Sequence, residues 1–258
     1  LRCWWMQDLQ AWLAKIEAGN ADFRRKIGPL KVGLFRLVSY LLAGPRLVVA
    51  ALTGRLLATR PGLFQWPWVP RWPGLAAKPV HVDRDYAWTE RVRSARHEIL
   101  AEMDSVHAAF ARARYDSDEN PKEWNTYYFY LQGKPIDEHL AACPRTAAIL
   151  RSLPHNGLHI CFSAIQPGGS LQPHTGPTNA GLTAHLGLRN CAGTKLWVGE
   201  HVAEYRDGEV LVFDDSFVHW VENNGTAVRY TLMITFWHPD LTWIERLFLS
   251  RVLRLNPG

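Results

Sequence analysis

Apolar and polar positions alternate through the second half of the chain. Short runs ("LHICFSAIQPGG", "TAHLGL", "TKLWVGEHVAEY", "EVLVFDD", "FVHWVENN" and "VRYTLMITFWH") succeed one another from residue 158 to residue 238. Turn residues separate them at intervals of about ten residues, which is the pattern of a β-sandwich or small barrel. Upstream the period lengthens. Trp88, Val92, Ile99, Met103, Val106 and Phe110 fall at mixed three- and four-residue steps, which predicts helix between Tyr86 and Tyr115. "DSDENPKEW" (116–124) reads as a polar loop, "NTYYFYLQG" (125–133) as an aromatic strand ending at a glycine, and "CPRTAAILRSLP" (143–154) as a short helix. Residues 76–258 are therefore expected to form a mainly β domain with flanking helices.

Residues 1–75 have another pattern. "LKVGLFRLVSYLLAGPRLVVAALTGRLLA" (30–58) is strongly apolar but carries Arg36, Arg46 and Arg55. Its longest uncharged run, Leu37 to Pro45, falls short of the roughly 20 residues a bilayer span needs. Arg46 would cost about 3 kcal/mol in mid-membrane, and Pro45 interrupts helical continuity. Two helices with a basic edge are expected, lying on a membrane surface or packed against the domain. "FQWPWVPRWPG" (64–74) cannot be regular helix and reads equally as an interfacial aromatic anchor or a packed linker.

Composition adds partners rather than fold. The net charge of +5 over 258 residues is modest, but Arg24, Arg25, Lys26, Lys31, Arg36, Arg46, Arg55 and Arg60 occupy residues 24–60 without one acid. Such a block favours anionic lipid heads or an acidic protein, and no motif points to nucleic acid. Localisation at a membrane or in the cytoplasm stays open. Cys3, Cys143, Cys161 and Cys191 have no C-x-x-C spacing, so reduced, packed thiols are expected. The chain opens at Leu1, and a preceding segment stays open too.

Three residues of the β half can converge. His174 comes just after a strand, His219 sits in "FDDSFVHWVENN", and Arg229 lies ten residues on, where a hairpin partner would bring it to the same barrel mouth. Two histidines and a carboxylate on one face of Fe(II) is the usual nonheme oxygenase set. Two residues after His174 stands Gly176, so the carboxylate of that set is missing. Arg229 has a rival reading as the ion-pair partner of Asp214 or Asp215. Those two acids, being adjacent on a strand, point to opposite faces and cannot share a proton; they read as turn groups or as groups that orient His219. Ser163 has no neighbouring general base, which argues against a nucleophile.

"PHTGPTN", "HLGL", "DGEVLVFDDSFVHWVENN" and "FWHPDL", with "EWNTYYFYLQG" and "CPRTAAILRSLP" upstream, resemble the aspartyl/asparaginyl β-hydroxylases over roughly residues 120–245. The resemblance implies a double-stranded β-helix, a cupin-like jelly roll. It implies Fe(II) and O2, with 2-oxoglutarate as cosubstrate, the metal held by His174 and His219 alone beside a glycine. Arg229 would pair with the distal carboxylate of 2-oxoglutarate, His185 and Ser163 would contact the cosubstrate, and Trp124 would line the pocket. Thr183 departs from the family, which has an arginine there, and an acidic peptide substrate is not implied. The cysteine pair near "PRT" and the upstream helical repeats of the animal enzymes are absent as well. The readings left open are a peptide or small-molecule hydroxylase, a lipid acyl-chain hydroxylase at a membrane, a halogenase exploiting Gly176, and a non-catalytic jelly-roll binding module.

Overall fold

A computed structural model describes residues 2–55, 62, 64–112 and 124–255. The chain runs α1 (Arg2–Ile27), α2 (Pro29–Leu52), β1 (Val80–His81), α3 (Trp88–Ser94), α4 (Arg96–Val106), β2 (Ala111–Arg112), β3 (Trp124–Leu131) and β4 (Lys134–Pro135). It continues through α5 (Asp137–Ala142), α6 (Pro144–Arg151), β5 (His155–Ile165), β6 (Ser170–His174), β7 (Gly181–Arg189) and β8 (Thr194–Val198). The last elements are β9 (His201–Glu204), β10 (Val210–Phe213), β11 (His219–Asn223), β12 (Arg229–Trp237) and α7 (Trp243–Leu253). The polar loop expected at 116–124 lies outside the described residues apart from Trp124. The predicted helix to Tyr115 is two, α3 and α4, and ends at Val106.

Two antiparallel sheets face each other. The larger has the order β1-β10-β7-β12-β5-β3-β2 with β4 beside β3, and the smaller has β6-β11-β8-β9. This is the expected jelly roll. Strand period decides what each face of the large sheet carries. Ile160 and Phe162 of β5, Leu182, Ala184 and Leu186 of β7, and Leu232, Ile234 and Phe236 of β12 pack with Ile99, Met103, Ala147 and Leu150 of the covering helices. The alternate residues, among them Ser163, Thr183, His185, Arg229 and Thr231, therefore point inward, toward the small sheet. One face makes the core and the other the site. Trp124, Ile165 and Phe213 meet Leu196, Val198 and Val221 of the small sheet between the layers.

Arg229 is not the hairpin partner of His219. β11 pairs with β6 and β8, whereas β12 pairs with β5 and β7 in the other sheet. The connection crosses between layers because the Asn223 amide donates to the carbonyls of Ile165, Gln166 and Ala227 (3.0, 3.2 and 3.0 Å). The two residues thus face each other across the sandwich.

The apolar N-terminal segment also differs from expectation. It forms one helix, α2, with Pro45 inside it. A mid-helix proline loses one hydrogen bond and crowds the preceding turn. Docking on both sides of the proline holds the axis. Arg46 reaches the domain, donating to the carbonyls of Pro73, Gly74 and Asp240 and to both carboxylate oxygens of Glu245 (2.7 and 2.8 Å). Phe35 packs edge-on against Trp72, centroids 5.7 Å apart.

Of the two readings of residues 64–74, the packed one holds. Trp72 is fully buried with Leu75, Ala180, Trp237 and Leu249. Trp66 N–H donates to Ser216 O (2.8 Å), Val218 N–H to Phe64 O (2.8 Å) and Val69 N–H to Pro177 O (3.0 Å). The strap continues along the loops after β6 and β10.

Candidate functional site

His174 ends β6, His219 begins β11, and the two are Cα partners in the ladder. Directly opposed residues on neighbouring strands share a face, and the ring centroids stand 4.1 Å apart. Each ring uses Nδ1 for a carbonyl two residues back, His174 for Gln172 (2.7 Å) and His219 for Phe217 (2.9 Å). The proton is thereby committed to Nδ1 and Nε2 becomes the lone-pair donor of each ring. Burial lowers both pKa values, and His174 adds to the effect at His219. Two neutral imidazoles presenting Nε2 to one space fit a divalent metal of the Fe(II) class. Among the described residues no group of three His, Cys, Asp or Glu side chains forms a metal cluster.

Gly176 is required by its neighbour. A Cβ on this residue would fall 2.4 Å from Oδ1 of Asp215. The Asp215 carboxyl group thus fills the room that a side chain at 176 would take. Its Oδ2 accepts from the Thr183 hydroxyl at 3.0 Å, and burial raises its pKa to about 7. Asp214 turns the other way, accepting from Gln65 Nε2 (2.9 Å) and from the Ser216 N–H (2.9 Å), with burial raising it to about 8. The two carboxyl groups have separate partners, and they lie in the turn after β10 rather than on a strand as expected. Of the two readings of these acids the turn one describes their carboxyl groups; the His219 ring is oriented by main chain, through Phe217 O and the Asp215 backbone.

Across the sandwich Arg229 is 1% exposed and has no carboxylate partner among the described residues. The ion pair with Asp214 or Asp215 is not formed. Its Nη1 donates to the Thr231 hydroxyl at 2.6 Å, its Cζ lies 4.9 Å from the Tyr205 ring centroid, and its buried Nε has no hydrogen-bond partner. A buried, uncompensated guanidinium is costly, and a planar fork of donors is suited in chemistry to a carboxylate. His185 stands by it: the Tyr205 hydroxyl bonds Nδ1 at 2.6 Å, and the buried Nε2 has no partner. Burial, reinforced by Arg229, takes the His185 pKa down to about 3, so the ring is neutral. In the tautomer that accepts from Tyr205 at Nδ1, His185 carries its proton on the unpartnered Nε2.

Ser163 and Trp124 complete the wall. Ser163 is the Cα partner of Thr231, and its hydroxyl accepts from the Trp124 indole at 2.9 Å. His174, His219, Arg229, His185, Ser163 and Trp124 thus all lie on these facing surfaces. Tyr205 and Thr231, which align His185 and Arg229, were not singled out. Thr231 was findable, since it shares strand parity with Arg229; Tyr205 sits just past the end of β9 and gave no periodic signal.

Residues 90–239 match the family model described as aspartyl/asparaginyl β-hydroxylase. The chain is 32% identical over 194 residues to a human aspartyl/asparaginyl β-hydroxylase, covering 69% of this chain and 25% of that one. It is 33% identical over 207 residues to human aspartate β-hydroxylase domain-containing protein 2, covering 75% and 56%. The chain thus spans from a quarter to just over half the length of these relatives. Among solved structures it is similar to a Pseudomonas putida prolyl-4-hydroxylase, with a TM-score of 0.38, 17% identity, and 57% and 88% of the two chains covered.

Proposed function

The chain belongs to the aspartyl/asparaginyl β-hydroxylase family, and from that premise we propose that it is an Fe(II)- and 2-oxoglutarate-dependent hydroxylase acting on a peptide side chain or a related small substrate. The observation that carries the reading is Arg229: a buried cation without a carboxylate, across the sandwich from two histidines that present Nε2 to one space. His174 and His219 would hold the metal. Arg229, with Thr231 and Tyr205 keeping its plane, would bind the distal carboxylate of 2-oxoglutarate, and His185 would donate to it. Ser163 and Trp124 would close the cosubstrate pocket from β5 and β3. Fe(II) supplies, with 2-oxoglutarate and O2, the oxidant that turns a substrate C–H into C–OH while succinate and CO2 leave. The protein's part is to bind, orient and exclude water.

The Asp215 carboxyl group beside Gly176 would offer a hydrogen bond to a water held in the space that a carboxylate at 176 would otherwise fill. At the substrate side Thr183 offers a hydroxyl, already used by Asp215, where a cation would read an acid. That favours a neutral substrate group and keeps a lipid acyl chain as the second reading.

The test is 2-oxoglutarate turnover to succinate with Fe(II), alongside direct titration of 2-oxoglutarate by tryptophan fluorescence. Mass spectrometry of products from candidate peptides and lipids should show addition of one oxygen atom. The His174→Ala and His219→Ala variants should lose metal uptake and turnover. If the intact protein binds neither Fe(II) nor 2-oxoglutarate, the fold is a binding module and the proposal fails.

A further inference from the structure

Among the described residues the exposed large apolar side chains fall mostly on two helices, α2 and α7. Leu30, Leu34, Leu37, Leu41, Val48 and Leu52 of α2 are exposed, from 58% at Val48 to 84% at Leu30. At about 100° per residue these six cluster within a narrow arc, roughly 155° from the arc that holds Phe35, Ser39, Leu42, Ala43, Arg46 and Ala50. The second arc is the one turned toward the domain, through Arg46 and Phe35. Beside it α7, which packs on α2 through Phe35 and Phe248, exposes Trp243 (73%), Ile244, Leu247 and Val252. The outward faces of two adjacent helices are thus both apolar.

We infer that α2 and α7 form an in-plane platform for an anionic lipid bilayer. Charge selects the occupant. Arg25, Lys26, Lys31, Arg36 and Arg55 are exposed along or beside α2, and Arg251 is exposed on α7. No acid occurs between Asp22 and Asp83, and the single acid of α7, Glu245, is 1% exposed and taken by Arg46. Basic flanks, an apolar outer stripe and a tryptophan at the edge are what a surface-bound helix presents. By length and composition α2 is also long and apolar enough to cross a membrane. The Arg46–Glu245 pair and the buried Trp72 bond to the same carboxylate (2.9 Å) fasten its inner face to the domain instead. A helix so fastened lies in the interface rather than through it. The inference stands apart from the reaction the barrel performs.

The experiment is flotation of the full chain with phosphatidylcholine vesicles made with and without phosphatidylglycerol, followed by alkaline carbonate extraction. The intact protein should float with the anionic vesicles, weaken as salt rises, and be released at high pH. A variant combining Leu37→Glu, Leu41→Glu and Trp243→Glu should stay with the soluble fraction while its circular-dichroism melt stays cooperative. Should that variant misfold, Lys31→Glu with Arg36→Glu provides the second arm, expected to cut anionic flotation at least several-fold. Flotation that neither variant reduces overturns the inference. So does resistance to carbonate, which marks a spanning helix, or a dimer in solution that the triple variant splits, which makes a second copy the occupant.

Discussion

Arg229 is a buried charge that works against the fold and that the proposed cosubstrate site would use. Removing an uncompensated buried charge in favour of an apolar side chain of similar length is often neutral or stabilising. Arg229→Met should therefore leave the ligand-free protein as stable or raise its Tm by a few degrees, while abolishing the Tm rise that 2-oxoglutarate gives the parent. Differential scanning fluorimetry with and without 2-oxoglutarate checks both halves. Gly176 makes a second case. Because a Cβ there collides with the Asp215 carboxylate, Gly176→Asp alone should not supply a working third ligand; it should cost about 1–3 kcal/mol of stability from overpacking. Pairing it with Asp215→Gly opens the room, and the double variant should recover stability and metal uptake relative to the single one. Urea unfolding and Fe(II) titration of the three proteins decide it.

At the level of elements, β5, β7 and β12 were the most legible part of the sequence. Their apolar residues fall on one parity, and His185, Ser163 and Arg229 on the other, so the strands and their candidate site side chains come from one alternating signal. The sandwich hid more. That β11 and β12 belong to different sheets depends on the Asn223 amide bridging the layers, which no local period records. Helix α2 misled for a related reason, since the contacts that hold it on either side of Pro45, through Phe35 and Arg46, come from distant parts of the chain. Glu245 is the centre of that grip. Burial pushes its pKa up, but hydrogen bonds from Arg46, Thr242 and Trp72 outweigh it and the net shift is downward. A depressed carboxylate lends stability above the ordinary glutamate range and loses it as pH falls through the lower folded value. Arg46→Ala, which leaves that carboxylate buried and unpaired, should cost about 3–5 kcal/mol at neutral pH. Replacing both partners with methionine should recover much of this and flatten the acid limb of the stability profile, as thermal melts across pH would show.

Over the whole molecule, the strap of residues 64–75 ties together parts that composition separates. Residues 1–75 differ in pattern from the β-rich remainder of the chain, yet Gln65 holds Asp214 and Ser216, Val69 holds Pro177, and Trp72 exchanges two hydrogen bonds with Asn179 (2.7 and 2.9 Å). The loops it grips lead out of β6, which ends at His174, and into β11, which begins at His219. A protein beginning at residue 76 should accordingly lose Fe(II) affinity and loop protection in hydrogen exchange, even when assayed without any lipid. Metal titration of the shortened and full proteins checks this. The strap also sets an order of maturation. Ribosomal synthesis delivers it long before the loops it clasps, so the early segment waits as an unpaired clamp, and the space between His174 and His219 takes its final shape only when the last third of the polypeptide returns to meet it.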